Sequence, residues 1–215
     1  MLAEKVKKRA KSAKTSRAKH PKGTASAGKG ITGTPAITPI DGIRVPLTIK
    51  PRTVRMKVNG RTYSLHVEPN WTLRDVLRQK LGFTSVKDFC GGYGACGSCS
   101  VIMDGRPALS CMTLAVDCDG AAIETAEGIA DAKHPLIEAY IMNWTAQCGY
   151  CTPGFLVTAK VLLDHNLNPT VEEIKEALAG NLCRCGTYPA HIKAIQQAAQ
   201  ALRGERHDGG RTRGK

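Results

Sequence analysis

The chain has 215 residues, 42% of them hydrophobic and 5% aromatic, with 31 Lys and Arg against 18 Asp and Glu for a formal charge of +13. That length and apolar content allow one domain or two small ones without covalent staples, and no apolar run reaches the roughly 18 residues of a membrane-spanning helix, which excludes an integral helical membrane protein. Ten basic residues against one acid give residues 1–30 a charge of +9, and five against two give residues 203–215 a charge of +3. The body keeps 16 against 15, or +1, so nucleic acid is not an expected partner of the folded part.

Residues 1–50 are rich in Lys, Ala, Ser and Gly and then in Pro35, Pro39 and Pro46. They are expected to form a disordered basic arm and an extended lead-in, because so little apolar surface does not offset the entropy of ordering. No apolar core follows the leading charges and no twin-arginine pair is present, so a cytoplasmic location is expected. Val54, Met56 and Val58 alternate with Arg55 and Lys57; after Asn59-Gly60 the alternation resumes at Tyr63, Leu65 and Val67, which predicts a hairpin. Thr72 is placed to cap a helix with Leu73, Val76, Leu77 and Leu81 on one face and Gly82 at its end. A second strand pair is expected at Ser100–Met103 and Leu109–Val116 around Asp104-Gly105. Residues 51–125 thus read as a small α+β domain.

Beyond Glu127 the pattern turns helical. Helices are expected over Leu136–Trp144 after Pro135, over Gly154–His165 after Pro153, over Ile174–Leu178 behind the capping box Thr170–Glu173, and over Ala190–Leu202. Four segments in residues 126–202 suggest a small helical bundle, followed by a flexible tail over 203–215. His191 is read as a helix-surface residue, and none of the six histidines stands at a metal-ligand spacing.

The nine cysteines divide between these two regions. Cys90, Cys96, Cys99 and Cys111 have 5, 2 and 11 residues between them; Cys148, Cys151, Cys183 and Cys185 have 2, 31 and 1; Cys118 stands apart as a small buried thiol in a strand. An odd number of cysteines in a chain with ample apolar content speaks against disulfides. Three cysteines close together with a fourth further on is the plant-type [2Fe–2S] spacing. The glycines of CGGYGACGSC would let peptide N–H groups reach negatively charged sulfurs, so the first group reads as iron–sulfur. For the second group, spacing leaves zinc and iron both open. No Walker loop and no Gly-x-Gly-x-x-Gly before a helix is present, so nucleotide or flavin binding by this chain is not expected.

The segments QCGYCTPGF (Gln147–Phe155) and GNLCRCGTYPAHIKAI (Gly180–Ile195) resemble the signatures of the small iron–sulfur subunits of molybdenum hydroxylases, the xanthine dehydrogenase, aldehyde oxidoreductase and carbon monoxide dehydrogenase family. CGGYGACGSCSVIMDGRPALSC resembles the ferredoxin-like half of the same subunits, so the likeness spans about residues 53–202. It implies a β-grasp ferredoxin-like domain followed by a four-helix domain, with one [2Fe–2S] cluster in each. Cys148, Cys151, Cys183 and Cys185 would hold the cluster nearer the molybdopterin cofactor of a large subunit, with Gln147 approaching the pterin. Cys90, Cys96, Cys99 and Cys111 would hold the outer cluster, facing a medium FAD subunit or a cytochrome. The implied function is electron transfer within an oxidoreductase complex, with no substrate chemistry in this chain. A free-standing two-cluster ferredoxin, or a metal-stabilised binding module whose basic arm contacts nucleic acid, are the alternatives. The family usually has four residues between its first two cysteines, where this chain has five, and Cys-Gly-Thr-Tyr after Arg184 resembles the branch acting on aldehydes and N-heterocycles.

Overall fold

The computed structural model describes residues 50–204; the basic arm, the lead-in up to residue 49 and the tail from residue 205 lie outside the described residues. β1 (Arg52–Val58) and β2 (Arg61–Val67) pair antiparallel with Val58 opposite Arg61, so Asn59 and Gly60 alone make the turn. Their φ values of +48° and +82° are the left-handed conformations this turn needs, which is the reason for Asn-Gly. The alternation buries Val54, Met56 and Val58 and leaves Arg55 and Lys57 outside. Thr72 and Asp75 cap α1 (Leu73–Asp75) reciprocally: Thr72 Oγ1 accepts from Asp75 N–H, and the Asp75 carboxylate accepts from Thr72 N–H at 3.2 Å. The helix then widens into a π-helical turn over Val76–Lys80, which the apolar spacing does not announce. Leu81 N–H reaches Val76 O there, and Leu81 and Phe83 stay packed on the core.

β3 (Ser100–Met103) and β4 (Arg106–Leu109) form the second hairpin. The sequence pattern predicts the second strand at Leu109–Val116, and the structure corrects this. The turn at Asp104-Gly105 sets Met103 opposite Arg106, so the strand is complete at Leu109. The chain then turns through Ser110, whose hydroxyl donates to Cys99 O at 2.7 Å, and Ala115–Cys118 is a 3-10 helix. Cys118 therefore lies in a helical turn and not in a strand. β5 (Ala122–Glu124), too short for an alternation signal, completes a mixed sheet of order β2-β1-β5-β3-β4 in which β1 and β5 are parallel.

Five helices follow: α2 (Ala126–Asp131), α3 (Pro135–Met142), α4 (Thr152–His165), α5 (Val171–Ala177) and α6 (Tyr188–Leu202). Thr170 and Glu173 form the expected capping box. α4 packs on β3 and β4 and also touches α2, α3, α5 and α6, while α3 lies along α6. The fold is α+β. One apolar core lies against the sheet around Val54, Leu73, Leu77 and Val101; a second, among the helices, gathers Phe155, Leu163, Ile174 and Ile195, with Ile102 of β3 joining it. No described helix is long and apolar enough to cross a membrane.

Candidate metal centres

Cys90, Cys96 and Cys99 stand in a loop between Val86 and β3, and Cys111 in the turn after β4. Gly91, Gly92, Gly94 and Gly97 all have φ between +69° and +89°, so the backbone doubles back where a side chain would be strained. Cys96, Cys99 and Cys111 are buried and Cys90 is half-buried. Cys96 acts on the Cys90 thiol and Cys99 on the Cys111 thiol, and Cys90 and Cys111 sense each other electrostatically. With five residues between them, Cys96 still influences the Cys90 thiol. Desolvation raises the Cys90 thiol, yet the N–H groups of Ala95, Tyr93 and Gly92 together with Cys96 outweigh it and bring it down to about 7. Desolvation and the neighbouring Cys99 push Cys111 up to about 11. Arg74 sits beside this loop, paired with Asp75 at 3.1 Å and Asp88 at 2.9 Å, and also senses Cys111.

The second group gathers at two helix starts. Cys151 stands at the N-cap position of α4 without a capping side-chain bond, and Cys148 is exposed just before it; Cys183 is buried and Cys185 half-buried just ahead of α6. Gly149, at φ +76°, makes the turn between Cys148 and Cys151, and Gly186, at φ +79°, turns the chain from Cys185 into α6. Cys148 partners Cys185, Cys151 partners Cys183, and Cys148 also senses both Cys183 and Cys151. The Tyr150 N–H and Cys185 lower the Cys148 thiol. Burial, then Cys183, push Cys151 up to about 12. Burial raises Cys183 too, but Thr187 Oγ1 at 3.2 Å, the Thr187 N–H at 3.5 Å and the Cys185 N–H bring it down to about 7. The Cys183 N–H donates to Tyr188 OH at 2.8 Å, which locks the loop to α6.

The two groups meet along a backbone seam. Leu182 N–H, adjacent to Cys183, donates to the carbonyl of Cys96 at 3.0 Å. Asn181 Nδ2 donates to Gly97 O at 3.3 Å, and Thr158 of α4 holds Asn181 Oδ1 at 3.0 Å. The approach is so close that a Cβ on Gly97 would lie 2.5 Å from Asn181 Nδ2 and 2.6 Å from Gly180 O, and one on Gly154 would overlap the Gly97 carbonyl. Tyr150 OH adds a bond to Asp88 O at 2.6 Å.

His191 is where the sequence pattern misleads. It is fully buried, not on the helix surface, and desolvation pushes it down to about 4. Its donor atom lies with those of Cys151 and Cys183 within 4.8 Å of one another. Its spacing from Cys183 and Thr187, i+8 and i+4, was the available signal. Gln147 is exposed beside Cys148, Arg184 is exposed between its two cysteines, and Tyr93 is 84% exposed. Cys118 is buried, donates to Leu114 O at 3.4 Å, and is pushed up to about 11 by desolvation and then by Asp117 and Asp104, not by another cysteine.

Two sets of four thiols, with peptide N–H groups aimed at their sulfurs in glycine loops, fit [2Fe–2S] clusters in donor type and in charge. Residues 56–126 match the family model described as "2Fe-2S iron-sulfur cluster binding domain", and residues 125–196 match the "[2Fe-2S] binding domain". The chain is 44% identical over 150 residues to the nicotinate dehydrogenase small FeS subunit of Eubacterium barkeri, covering 69% of this chain and 95% of the relative. It is 44% identical over 146 residues to the nicotine 6-hydroxylase small subunit of Paenarthrobacter nicotinovorans, covering 67% and 88%. Among solved structures, quinoline 2-oxidoreductase from Pseudomonas putida matches with a TM-score of 0.67 and 39% identity over 73% of this chain and 99% of that one. The aldehyde oxidoreductase of Desulfovibrio desulfuricans matches with a TM-score of 0.69 and 44% identity, but this chain spans only 17% of its length.

Proposed function

The chain belongs to the small [2Fe–2S] iron–sulfur subunits of the molybdenum hydroxylases, the electron-transfer subunits of such oxidoreductases, and from that premise we propose how its residues divide the work. Cys90, Cys96, Cys99 and Cys111 are the ligands of one cluster, and Cys148, Cys151, Cys183 and Cys185 those of the other. A bound [2Fe–2S] cluster supplies reversible one-electron exchange between the molybdenum cofactor of a large subunit and an acceptor. What this chain adds is position. The Leu182 N–H bond to Cys96 O ties a residue next to one ligand directly to a ligand of the other group, and this single observation carries the reading of the chain as one continuous conductor.

The second group faces the large subunit. Cys148 is exposed beside exposed Gln147, and Ile141, Met142 and Trp144 expose 63–84% of their surface on the same stretch of chain. Contiguous exposed apolar side chains of this kind are contact surface. Gln147 would then approach the pterin of the partner. The first group, with Phe89, Tyr93 and Met112 exposed around it, faces a medium FAD subunit. Residues 51–125 and 126–202 are the two cluster domains, the first a β-grasp and the second built on four main helices, α3 to α6. The complex works in the cytoplasm on N-heteroaromatic or aldehyde substrates. Replacing Cys148 by Ser tests the assignment: one of two rhombic signals of the reduced protein should vanish while the other stays, and survival of both would show the second ligand set to be wrong.

A further inference from the structure

Behind the second cysteine group stands an arrangement that four thiolate ligands do not require. His191 is fully buried on α6, stacked on Phe155 at 4.1 Å and 9° and tilted against Tyr140 at 5.3 Å, so the plane of its ring is fixed. Nε2 lies 3.1 Å from Thr187 Oγ1, and Thr187 Oγ1 lies 3.2 Å from Cys183 Sγ. Nδ1 is buried and has no hydrogen-bond partner among the described residues.

A neutral imidazole carries one N–H, and the geometry decides which nitrogen has it. With the proton on Nδ1, a buried donor would be orphaned. The Thr187 hydroxyl would have to donate its only proton to Nε2, setting its lone pairs against a sulfur that, as a metal-bound thiolate, has no proton to give. With the proton on Nε2, both contacts are satisfied: Nε2–H donates to Thr187 Oγ1, and Oγ1–H donates to Cys183 Sγ. Chains of this kind polarise each bond in turn, so the hydroxyl aimed at the sulfur is a stronger donor than an isolated threonine.

We propose that Thr187 and His191 are positioning residues forming a directed hydrogen-bond relay onto the Cys183 sulfur, which raises the reduction potential of the second cluster. The proposal rests on Cys183 being a ligand, as read above. A donor on a ligand sulfur stabilises the additional negative charge of the reduced state, so removing it favours the oxidised state. The rival is that His191 is itself a ligand, since its donor atom lies within 4.8 Å of those of Cys151 and Cys183. Against it, the ring's hydrogen-bond partner is Thr187 and not a sulfur, and four thiols are at hand without it.

The test is a potentiometric titration of the full-length iron-loaded chain, both clusters being followed by electron paramagnetic resonance. In Thr187→Val the reduced-to-oxidised ratio of the second cluster at fixed potential should fall roughly tenfold, equal to about 59 mV for one electron. Thr187→Ser should restore it, the first cluster should not move in either variant, and His191→Gln, which keeps a donor, should lie between wild type and valine. Where the valine variant does not accumulate, Thr187→Ala gives the same comparison. Both clusters retained with an unmoved second potential in Thr187→Val, or its alanine substitute, overturns the relay. Loss of the second signal and its iron in His191→Gln, with Thr187→Ser intact, overturns it in favour of a histidine ligand. A wild-type chain lacking the second signal overturns the ligand reading itself, and so is distinguishable from a failed relay.

Discussion

Gly154→Ala separates the packing between the two cysteine groups from ordinary helix propensity, because the two effects have opposite signs. Gly154 stands in the first turn of α4, where alanine would be favoured by up to about 1 kcal/mol if nothing touched it. The added methyl would instead overlap the Gly97 carbonyl oxygen and stand 3.1 Å from its carbon. That neighbour is backbone, held by Asn181 and next to Cys96, so it cannot rotate away, and overpacking of this kind costs about 1–3 kcal/mol. Because the clash is with fixed backbone, the cost lies in the upper part of that range, about 2–3 kcal/mol; less a propensity gain of about 1 kcal/mol, the net expectation is a loss of about 1–2 kcal/mol, or roughly 0.5–1 M in a urea midpoint for a slope near 2 kcal/mol/M. Gly180→Ala is the control: its Cβ meets nothing within 4 Å and its backbone is outside the left-handed region, so it should be neutral or slightly stabilising. Urea unfolding of the two variants and wild type at equal iron loading, followed by far-ultraviolet circular dichroism, decides the matter. If Gly154→Ala is as stable as wild type or more so, the close seam between the cysteine groups is not there.

Other perturbations read different parts of the account. Cys118→Ser should leave both cluster signals intact, since the Cys118 thiol senses Asp117 and Asp104 and not the other cysteines; losing the outer signal would exchange it with Cys111 as a ligand. Trp144→Ser, at an 84% exposed side chain, should leave the isolated chain as stable as wild type within about 0.5 kcal/mol and weaken its co-purification with a large subunit; unchanged co-purification would move the contact elsewhere. Glu127 accepts from Ser85 N–H at 2.8 Å, from Ser85 Oγ, and from Thr125 Oγ1 at 2.6 Å, and these bonds outweigh its desolvation and lower its pKa below the usual 4.5. The carboxylate therefore stabilises the fold above about pH 4.5, and this contribution disappears as pH falls through the lowered folded value. Glu127→Gln should be less stable than wild type at neutral pH, with the gap closing in acid; a gap constant with pH would refute the linkage.

What the sequence made legible follows from the range of the forces involved. The hairpins at Asn59-Gly60 and Asp104-Gly105 and the caps at Thr72 and Thr170 are local: a few neighbouring residues state them in full, as they do the pairs Cys96/Cys99, Cys148/Cys151 and Cys183/Cys185. β5 has three residues and is stabilised by β1 and β3, strands distant in sequence, so no local pattern could show it. The expected strand at Leu109–Val116 contains buried Cys111 and Ala115, but burial there comes from a turn whose Ser110 and Thr113 carbonyls accept from the Arg74 and Leu73 N–H groups of α1 and from a 3-10 helix against β1, not from pleating. His191 escaped notice for a similar reason. One polar residue at helical spacing reads as surface until Phe155 and Tyr140, 36 and 51 residues away, are known to enclose it. The seam of Gly97, Gly154 and Asn181 is equally non-local, although its glycines were visible from the start.

The most direct test of the central claim is iron and acid-labile sulfide content of the purified full-length chain, measured together with zinc. Two cluster-binding quartets require two irons and two sulfides for each, with visible absorption and no stoichiometric zinc. Zinc in place of iron at either quartet, or iron and sulfide sufficient for only one, would contradict the account.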